Sequence, residues 1–335
     1  MFSKKILLLI TLVLALSLFT SGPAKARTTL EIGHILAAGS LQNQALTDVF
    51  KPYIEEETNG EIKIKVFPGE QLGGAPDQVE AVKMGTQDMF MGSQTWWEAE
   101  LPQIGVSTVP FMFKNRDHFH KWVDEVLKKD LEPKLIEKAN QRFLNLEVKW
   151  HRGPFRVICS KTPVFTPEDV EGLELRLWPA RTIQKSWKGL GAKIQTIDFA
   201  EAYLALQQGV VNAITSPFDL VWPQKFTEVV KYVTELKQYP QLEFISINEK
   251  TWKKLSEEHK SLLTEAANKA GEWFNKHSSE SVEETIQKLI REHNVKYIQV
   301  NRESFSEKIH KKVIPDLIAD GTLKEEWVNQ VESLD

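Results

Sequence analysis

Arg176 stands in the middle of the apolar run Leu173-Glu174-Leu175-Arg176-Leu177-Trp178-Pro179, which has the composition and alternation of a β-strand. Successive strand side chains leave on opposite faces, so Leu175 and Leu177 point one way and Arg176 the other. A guanidinium placed there needs a partner, because an unpaired buried charge is very costly. Two partners are open: an Asp or Glu of the same chain, or the carboxylate of a bound molecule. The guanidinium fork fits a carboxylate bidentately, at about 1.5–3 kcal/mol for each charge-assisted bond. Arg156 stands twenty residues earlier between Phe155 and Val157. In a neighbouring strand it would converge with Arg176 on one anion, and alone it reads equally as an edge-strand surface charge. Trp96 and Trp97 close a strand-to-helix turn, Trp178 follows the Arg176 strand, and Phe218 and Trp222 follow Thr215-Ser216-Pro217. Aromatic side chains at strand ends either wall a cleft or pack in the core.

Other chemistry lacks its residues. The chain has no G-x-S-x-G, P-loop, G-x-G-x-x-G or H-E-x-x-H motif, and Cys159 is its single cysteine. Cys159 lies in the apolar run Phe155 to Cys159, where a buried, inert thiol is expected. His118 and His120 fall two apart on an expected helix and point to different faces, so no metal site is expected there. An enzyme acting on an organic acid would need a general base beside the arginines, and Asp198 and Glu201 are nearest in sequence. Their places fit a helix N-cap and a first helical turn instead. No catalytic residue is therefore expected.

The elements that must hold the arginines alternate between strand and helix. Leu30 to Ile35, a helix near Gln42 to Glu57, and Ile62 to Phe67 form one such unit, punctuated by Thr58-Asn59-Gly60. The rhythm resumes with strands at Phe155 to Cys159, Leu173 to Leu177, Ile194 to Ile197 and Val210 to Ile214, separated by helices. This is the pattern of an α/β protein with two lobes. Glu249 to Glu292, interrupted only by Gly271, reads as helix throughout, long enough to brace two lobes. Val295 to Val300 then reads as a strand.

At the amino end, Lys4 and Lys5 precede an apolar run from Ile6 to Phe19, and Ala24-Lys25-Ala26 offers a cleavage site. Residues 1–26 are thus expected to be a cleaved signal peptide, the run being short for a retained anchor. Cleavage removes three of the 42 basic residues and none of the 46 acidic ones, moving the formal charge from −4 to −7. That balance gives no footprint for a nucleic-acid partner. The sequence shows no long uncapped apolar surface pattern, and a monomer is expected.

Five landmarks occur in order: Phe67-Pro68-Gly69-Glu70-Gln71-Leu72-Gly73, Gly85-Thr86-Gln87-Asp88-Met89, Val109-Pro110-Phe111-Met112-Phe113, Glu171-Gly172-Leu173-Glu174-Leu175-Arg176, and the stretch from Phe199 to Val211. Through them the chain resembles the periplasmic solute-binding subunits of tripartite ATP-independent (TRAP) transporters, of the dicarboxylate-binding type. The resemblance implies a two-lobed periplasmic-binding-protein-like fold with a ligand cleft and a long helix spanning both lobes. It implies lobe I at residues 27–153 plus 242–281 and lobe II at residues 154–241 plus 282–335. It also implies that Arg176 pairs with a small organic carboxylate and that Arg156 assists. Ser216 takes the place of an asparagine that contacts ligand in many members. Trp96, Trp97, Phe199 and Phe218 complete the expected lining. Members that hold 2-oxo acids through a cation tend to have tryptophan at the Ser216 position, so neither metal nor cofactor is expected. The implied partners are one small and one large integral-membrane TRAP transporter subunit driven by an ion gradient, with the protein in the periplasm. An ATP-driven importer or a periplasmic sensor using a similar binding protein, and a secreted enzyme acting on an organic acid, are the alternatives.

Overall fold

The computed structural model describes residues 27–280 and 282–334, so the expected signal peptide lies outside the described residues. The strands are β1 (Thr28–Gly33), β2 (Ile62–Phe67), β3 (Met89–Ser93), β4 (Gln141–Phe143), β5 (Arg156–Ser160), β6 (Glu174–Leu177), β7 (Lys193–Thr196), β8 (Ala213–Pro217), β9 (Tyr232–Glu235), β10 (Glu243–Asn248) and β11 (Lys296–Gln299). They form two sheets. One has the order β2-β1-β3-β10-β4, the other β11-β9-β5-β8-β6-β7. β2, β1 and β3 run parallel, as do β7, β6 and β8, while β10 and β5 are antiparallel insertions. The described part is thus an α/β protein of two lobes, each built on one sheet.

Two antiparallel strands carry the chain between lobes. β5 enters the second sheet from the segment after β4, and β10 returns to the first sheet after β9. The connecting segments pair with each other: Arg152 N–H donates to the Gln241 carbonyl at 2.8 Å, Glu243 N–H donates to the Trp150 carbonyl at 2.8 Å, and His151 faces Leu242. This two-stranded link is the hinge.

The expected continuous helix from Glu249 to Glu292 is interrupted. Helix Glu249–Lys254 ends at Leu255, whose ψ of 147° is extended, and a new helix covers Glu257–Glu280. The break has a local cause: the Ser256 hydroxyl accepts the His259 N–H at 3.1 Å, which is the geometry of a helix N-cap. Glu257–Glu280 packs on the Leu41–Glu57 helical segments of the first lobe, and Val282–His293 packs on β11 and on Phe226–Glu228 of the second. Gly271 lets the first of these helices touch the hinge, since a Cβ there would meet Trp150 at 3.0 Å. The Asn275 amide then clamps the hinge, accepting the His151 N–H and donating to the Lys149 carbonyl, both at 2.9 Å. At the carboxyl end, Glu325–Glu332 lies on Pro102–Thr108 of the first lobe, where the His118 ring bonds the Val331 carbonyl at 2.9 Å.

The hinge is charged and dry. Arg152 Nη1 lies 3.0 and 3.2 Å from the two carboxylate oxygens of Glu243, and both side chains are buried. Asp219 sits beside them, accepting from the Gln42 amide of the first lobe at 2.8 Å. Gly153 has a φ of +76°, and a Cβ there would meet Asp219 Oδ1 at 2.1 Å, so this backbone admits only glycine. Burial pushes the Asp219 carboxyl from its ordinary 3.8 up to about 6, against the opposing pull of Gln42, Arg152 and Arg156.

A carboxyl whose folded value is raised contributes stability at low pH that is lost as pH climbs through that value. Asp219→Asn keeps an oxygen for Gln42 and removes the loss. The melting temperature of the variant, relative to the natural protein, is expected to rise steadily from about pH 4 to pH 6 and then level off. A difference independent of pH across that range would show that Asp219 titrates normally.

Candidate functional site

The two sheets present the same kind of edge to each other. β6 and β8 end at the cleft with Leu177 and Pro217, and antiparallel β5 begins there, because Arg156 pairs with Pro217. In the first lobe β1 and β3 end at the cleft, and β10 starts opposite Ser93. Carboxyl ends of parallel strands are the usual ligand side of open α/β sheets. The cavity left between these edges is about 20 Å3, room for about one water molecule, so the two lobes stand close together over it.

Three arginines line the gap: Arg152, Arg156 and Arg176. Arg152 already has Glu243 as its partner. Arg156 and Arg176, each 3% exposed, form no salt bridge with any described residue. Arg156 Nη1 donates to the Gln241 side-chain oxygen at 2.5 Å and Nη2 to the Thr215 hydroxyl at 2.9 Å, while Nε is buried without a partner. Its guanidinium lies between two rings, 5.1 Å from the centre of Trp178 and 5.4 Å from Tyr239. Arg176 Nε donates to the Ile197 carbonyl at 2.7 Å, and its guanidinium is 5.3 Å from the Phe199 ring. Burial, then repulsion by Arg156, lowers Arg176 to about 9, and Asp198 and Glu70 offset this only in part. Burial lowers Arg156 in the same direction. Both groups are thus held where an anion beside them would restore their affinity for a proton.

The sequence reading places β5 and β6 side by side, but β8 lies between them. The arginines converge because β8 puts Thr215 and Pro217 in the same gap. Trp96 and Phe199 also line it, with the Trp96 indole N–H buried and without a partner. Three other expected residues are elsewhere. Ser216 alternates with Thr215 and turns to the opposite face of β8, where its hydroxyl donates to the Pro217 carbonyl at 2.9 Å. Trp97 is wholly buried in the first lobe, its N–H donating to Gln141 at 3.0 Å and its ring edge-on to Phe143. Phe218 is stacked on Phe155 at 5.1 Å, outside the gap. In each case the strand or turn alternates, so of two adjacent candidates only one can face the ligand side.

Sequence reasoning missed Ile35, Ser93, Thr95, Arg152 and Gln241 as lining residues. Arg152 and Gln241 come from the hinge, which carries no strand signal of its own. Asp198 and Glu201, the nearest acids in sequence, do not line the gap. Cys159 is buried in β5 and burial pushes its thiol up, which suits a packing role. Among the described residues no three His, Cys, Asp or Glu side chains are grouped to hold a metal ion, and no helix is long and apolar enough to cross a membrane.

The lobes also touch across the gap. The Trp178 N–H donates to the Thr95 hydroxyl at 3.0 Å, and the Glu98 carboxylate accepts the Thr182 N–H at 2.8 Å and its hydroxyl at 2.6 Å. A Cβ on Gly105 would meet the Thr182 hydroxyl at 2.3 Å, so the first lobe is close against the second at this point.

The family model described as bacterial extracellular solute-binding protein, family 7, matches residues 32–315. The 2,3-diketo-L-gulonate-binding periplasmic protein YiaO of Escherichia coli (strain K12) is 30% identical over 272 residues, 81% of each chain. The C4-dicarboxylate-binding periplasmic protein DctP of Rhodobacter capsulatus is 26% identical over 296 residues, 86% of each chain. Among solved structures, a TRAP periplasmic solute-binding protein from Roseobacter denitrificans OCh 114 with bound L-galactonate superposes with a TM-score of 0.81 at 26% identity, covering 93% of this chain and 99% of that one. One from Sulfurospirillum deleyianum DSM 6946 with bound succinate gives 0.81 at 25% identity, covering 92% and 100%. With its two sheets, its hinge and its arginine-lined gap, the chain belongs to family 7 of the bacterial extracellular solute-binding proteins.

Proposed function

We propose that the protein captures a small organic acid carrying one carboxylate and several hydroxyl groups, and delivers it to a TRAP-type membrane transporter. The observation that carries this reading is the pair of buried guanidinium groups, Arg156 and Arg176, that share a gap without a carboxylate partner. A ligand carboxylate between them supplies the missing charge. The remaining wall is neutral and suited to hydroxyls: Ser93, Thr95, Thr215 and Gln241, with the flat faces of Trp96 and Trp178. Because Arg152 is already paired with Glu243, no third free cation awaits a second carboxylate. This favours a sugar acid of the L-galactonate kind over a dicarboxylate such as succinate, the ligands found in two structural relatives.

The lobes close because the ligand touches both: its carboxylate meets the second lobe and its hydroxyls meet Ser93, Thr95 and Trp96 of the first. Only differential affinity for the closed arrangement shifts that equilibrium, and contacts made by both lobes at once provide it. The closed shape is then what the transporter recognises. The relatives' periplasmic location and the expected signal peptide support the periplasm as the place of work. In this reading the protein acts by binding: no carboxylate is among the residues that line the gap, Glu243 and Asp219 are held beside Arg152, and Asp198 and Glu70 act on Arg176 from outside the lining.

Purified protein lacking residues 1–26 and stripped of carried ligand by unfolding and refolding is expected to gain about 4 kcal/mol from a true ligand at a thousand-fold excess over Kd. In a melting experiment that is a shift of several degrees. Sugar acids should produce it, succinate should produce less, and Arg176→Ala should abolish it. A shift from a neutral sugar, or one surviving in Arg176→Ala, would refute the anchor. A second experiment tests closure. Glu98→Gln weakens a contact across the gap without touching its lining, so the ligand is expected to dissociate roughly ten-fold faster, about 1.4 kcal/mol. Unchanged stopped-flow dissociation would show that this contact is not part of the ligand-bound arrangement.

A further inference from the structure

Outside the ligand gap, a groove of about 280 Å3 runs along the hinge side of the seam between lobes, lined by Lys114, Arg116, Lys237 and Arg302 together with Phe113 and Phe155. No acidic side chain lines it, although the chain as a whole is acidic. It adjoins a second stretch of about 470 Å3 that shares Phe113, Lys114 and Arg302, where Glu303 and Glu332 appear in the wall. Lys237 is ion-paired with Glu235 behind the groove, and Arg116 Nη2 donates to the Pro154 carbonyl. Arg302 forms no salt bridge with a described residue. Its Nη2 donates to the Lys237 carbonyl at 3.0 Å, its guanidinium lies 5.5 Å from the Phe111 ring, and its Nε is buried without a partner.

The groove also touches the ligand anchor from behind. The Lys237 N–H donates to the Arg156 carbonyl at 3.0 Å. Tyr239, another groove residue, presents its ring to the Arg156 guanidinium at 5.4 Å. Its walls come from both lobes, since Phe113 to Arg116 precede the first crossover and Phe155, Lys237 and Arg302 follow it. Phe111, held at a φ of +62°, pins the seam, with its N–H on the Gln238 carbonyl at 2.5 Å and its ring against Phe305.

We propose that this groove is a second anion-binding site, for an extended acidic segment of a partner protein. Cations interleaved with aromatic rings along the acid-free groove fit a peptide with alternating carboxylate and apolar side chains. Such a segment bridges the two lobes at the hinge and bears on the strand that starts with Arg156, so its binding and that of the small acid are linked.

The test uses fluorescein-labelled hexaglutamate and hexaglutamine, followed by fluorescence anisotropy at low salt and in 0.5 M NaCl. The acidic peptide is expected to bind the natural protein and to weaken at least ten-fold in high salt, as exposed charge pairs do. Lys237→Glu, at an exposed side chain, and Arg302→Gln should each weaken it ten-fold or more, with circular dichroism melts confirming that each variant is folded. Arg176→Ala should leave peptide binding intact, which separates this site from the ligand gap and from the failure of that reading. A photo-crosslinking version of the peptide should label Phe113 to Arg116 or Lys237 to Pro240. Absence of binding, equal binding of hexaglutamine, indifference to both groove substitutions, loss in Arg176→Ala, or equally tight competition by inorganic phosphate would each overturn the proposal.

Discussion

Taking a guanidinium out of water costs several kcal/mol even after the protein relaxes around it, and the cost is met only when charge and hydrogen bonds are supplied in return. Arg156 and Arg176 donate hydrogen bonds to Gln241, Thr215 and the Ile197 carbonyl, and lie against the ring faces of Trp178, Tyr239 and Phe199. They do not receive a carboxylate. The contrast with Arg152 is instructive, because a few residues away the same chain pairs a buried arginine with a buried glutamate. The architecture around the gap exists to keep two positive charges close together and dry without neutralising them.

Two sheets meeting edge to edge are what make this possible. A single strand can carry one arginine to a sheet edge, but convergence requires β8 to stand between β5 and β6, with β5 reversed so that its first residue falls at the end of its neighbours. That reversal is the crossover itself: the chain enters the second lobe on β5 and leaves the first sheet's edge open to the gap. The hinge and the proposed anion site are therefore one piece of topology. The dry Arg152–Glu243 pair and Asp219 fix that piece, and Asn275 ties it to the helix Glu257–Glu280 that spans its back.

Much of this is legible in residue order. The alternation around Arg176 and the strand-helix rhythm give the α/β class and the side of β6 that carries the arginine, since period-two and helical patterns are local properties. Landmark motifs supply the two-lobed arrangement. Other features are hidden for physical reasons. β4 is three residues long, and the hinge strands pair only with each other, so neither has a pattern to read. Ser216 and Thr215 are adjacent, and only the register of β8 against β5 decides that Thr215 faces the gap. The same ambiguity applies to Trp96 and Trp97, of which one walls the gap and the other fills the first lobe's core beside Phe90, Phe143 and Phe244. The break at Leu255-Ser256 is a cap signal inside a helical composition, and a serine hydroxyl there outweighs the surrounding propensity.

On the proposed reading, an anion and not the lobes' own affinity decides how the lobes are arranged. Trp178 to Thr95 and Glu98 to Thr182 are hydrogen bonds that each group could also make to water, so their net contribution is about 1 kcal/mol apiece, somewhat more for the charged one. Bringing the lobes together over Arg156 and Arg176 removes water from two cations that have no counter-charge, which opposes closure by an amount of the same order or larger. The two terms leave closure poorly determined until a carboxylate enters. A carboxylate between the arginines would reverse the sign of the electrostatic term, and the hydrogen bonds across the gap would then add to it. Coupling of this kind needs no moving part beyond the hinge: the same dehydration that penalises empty closure strengthens the ion pairs once they form.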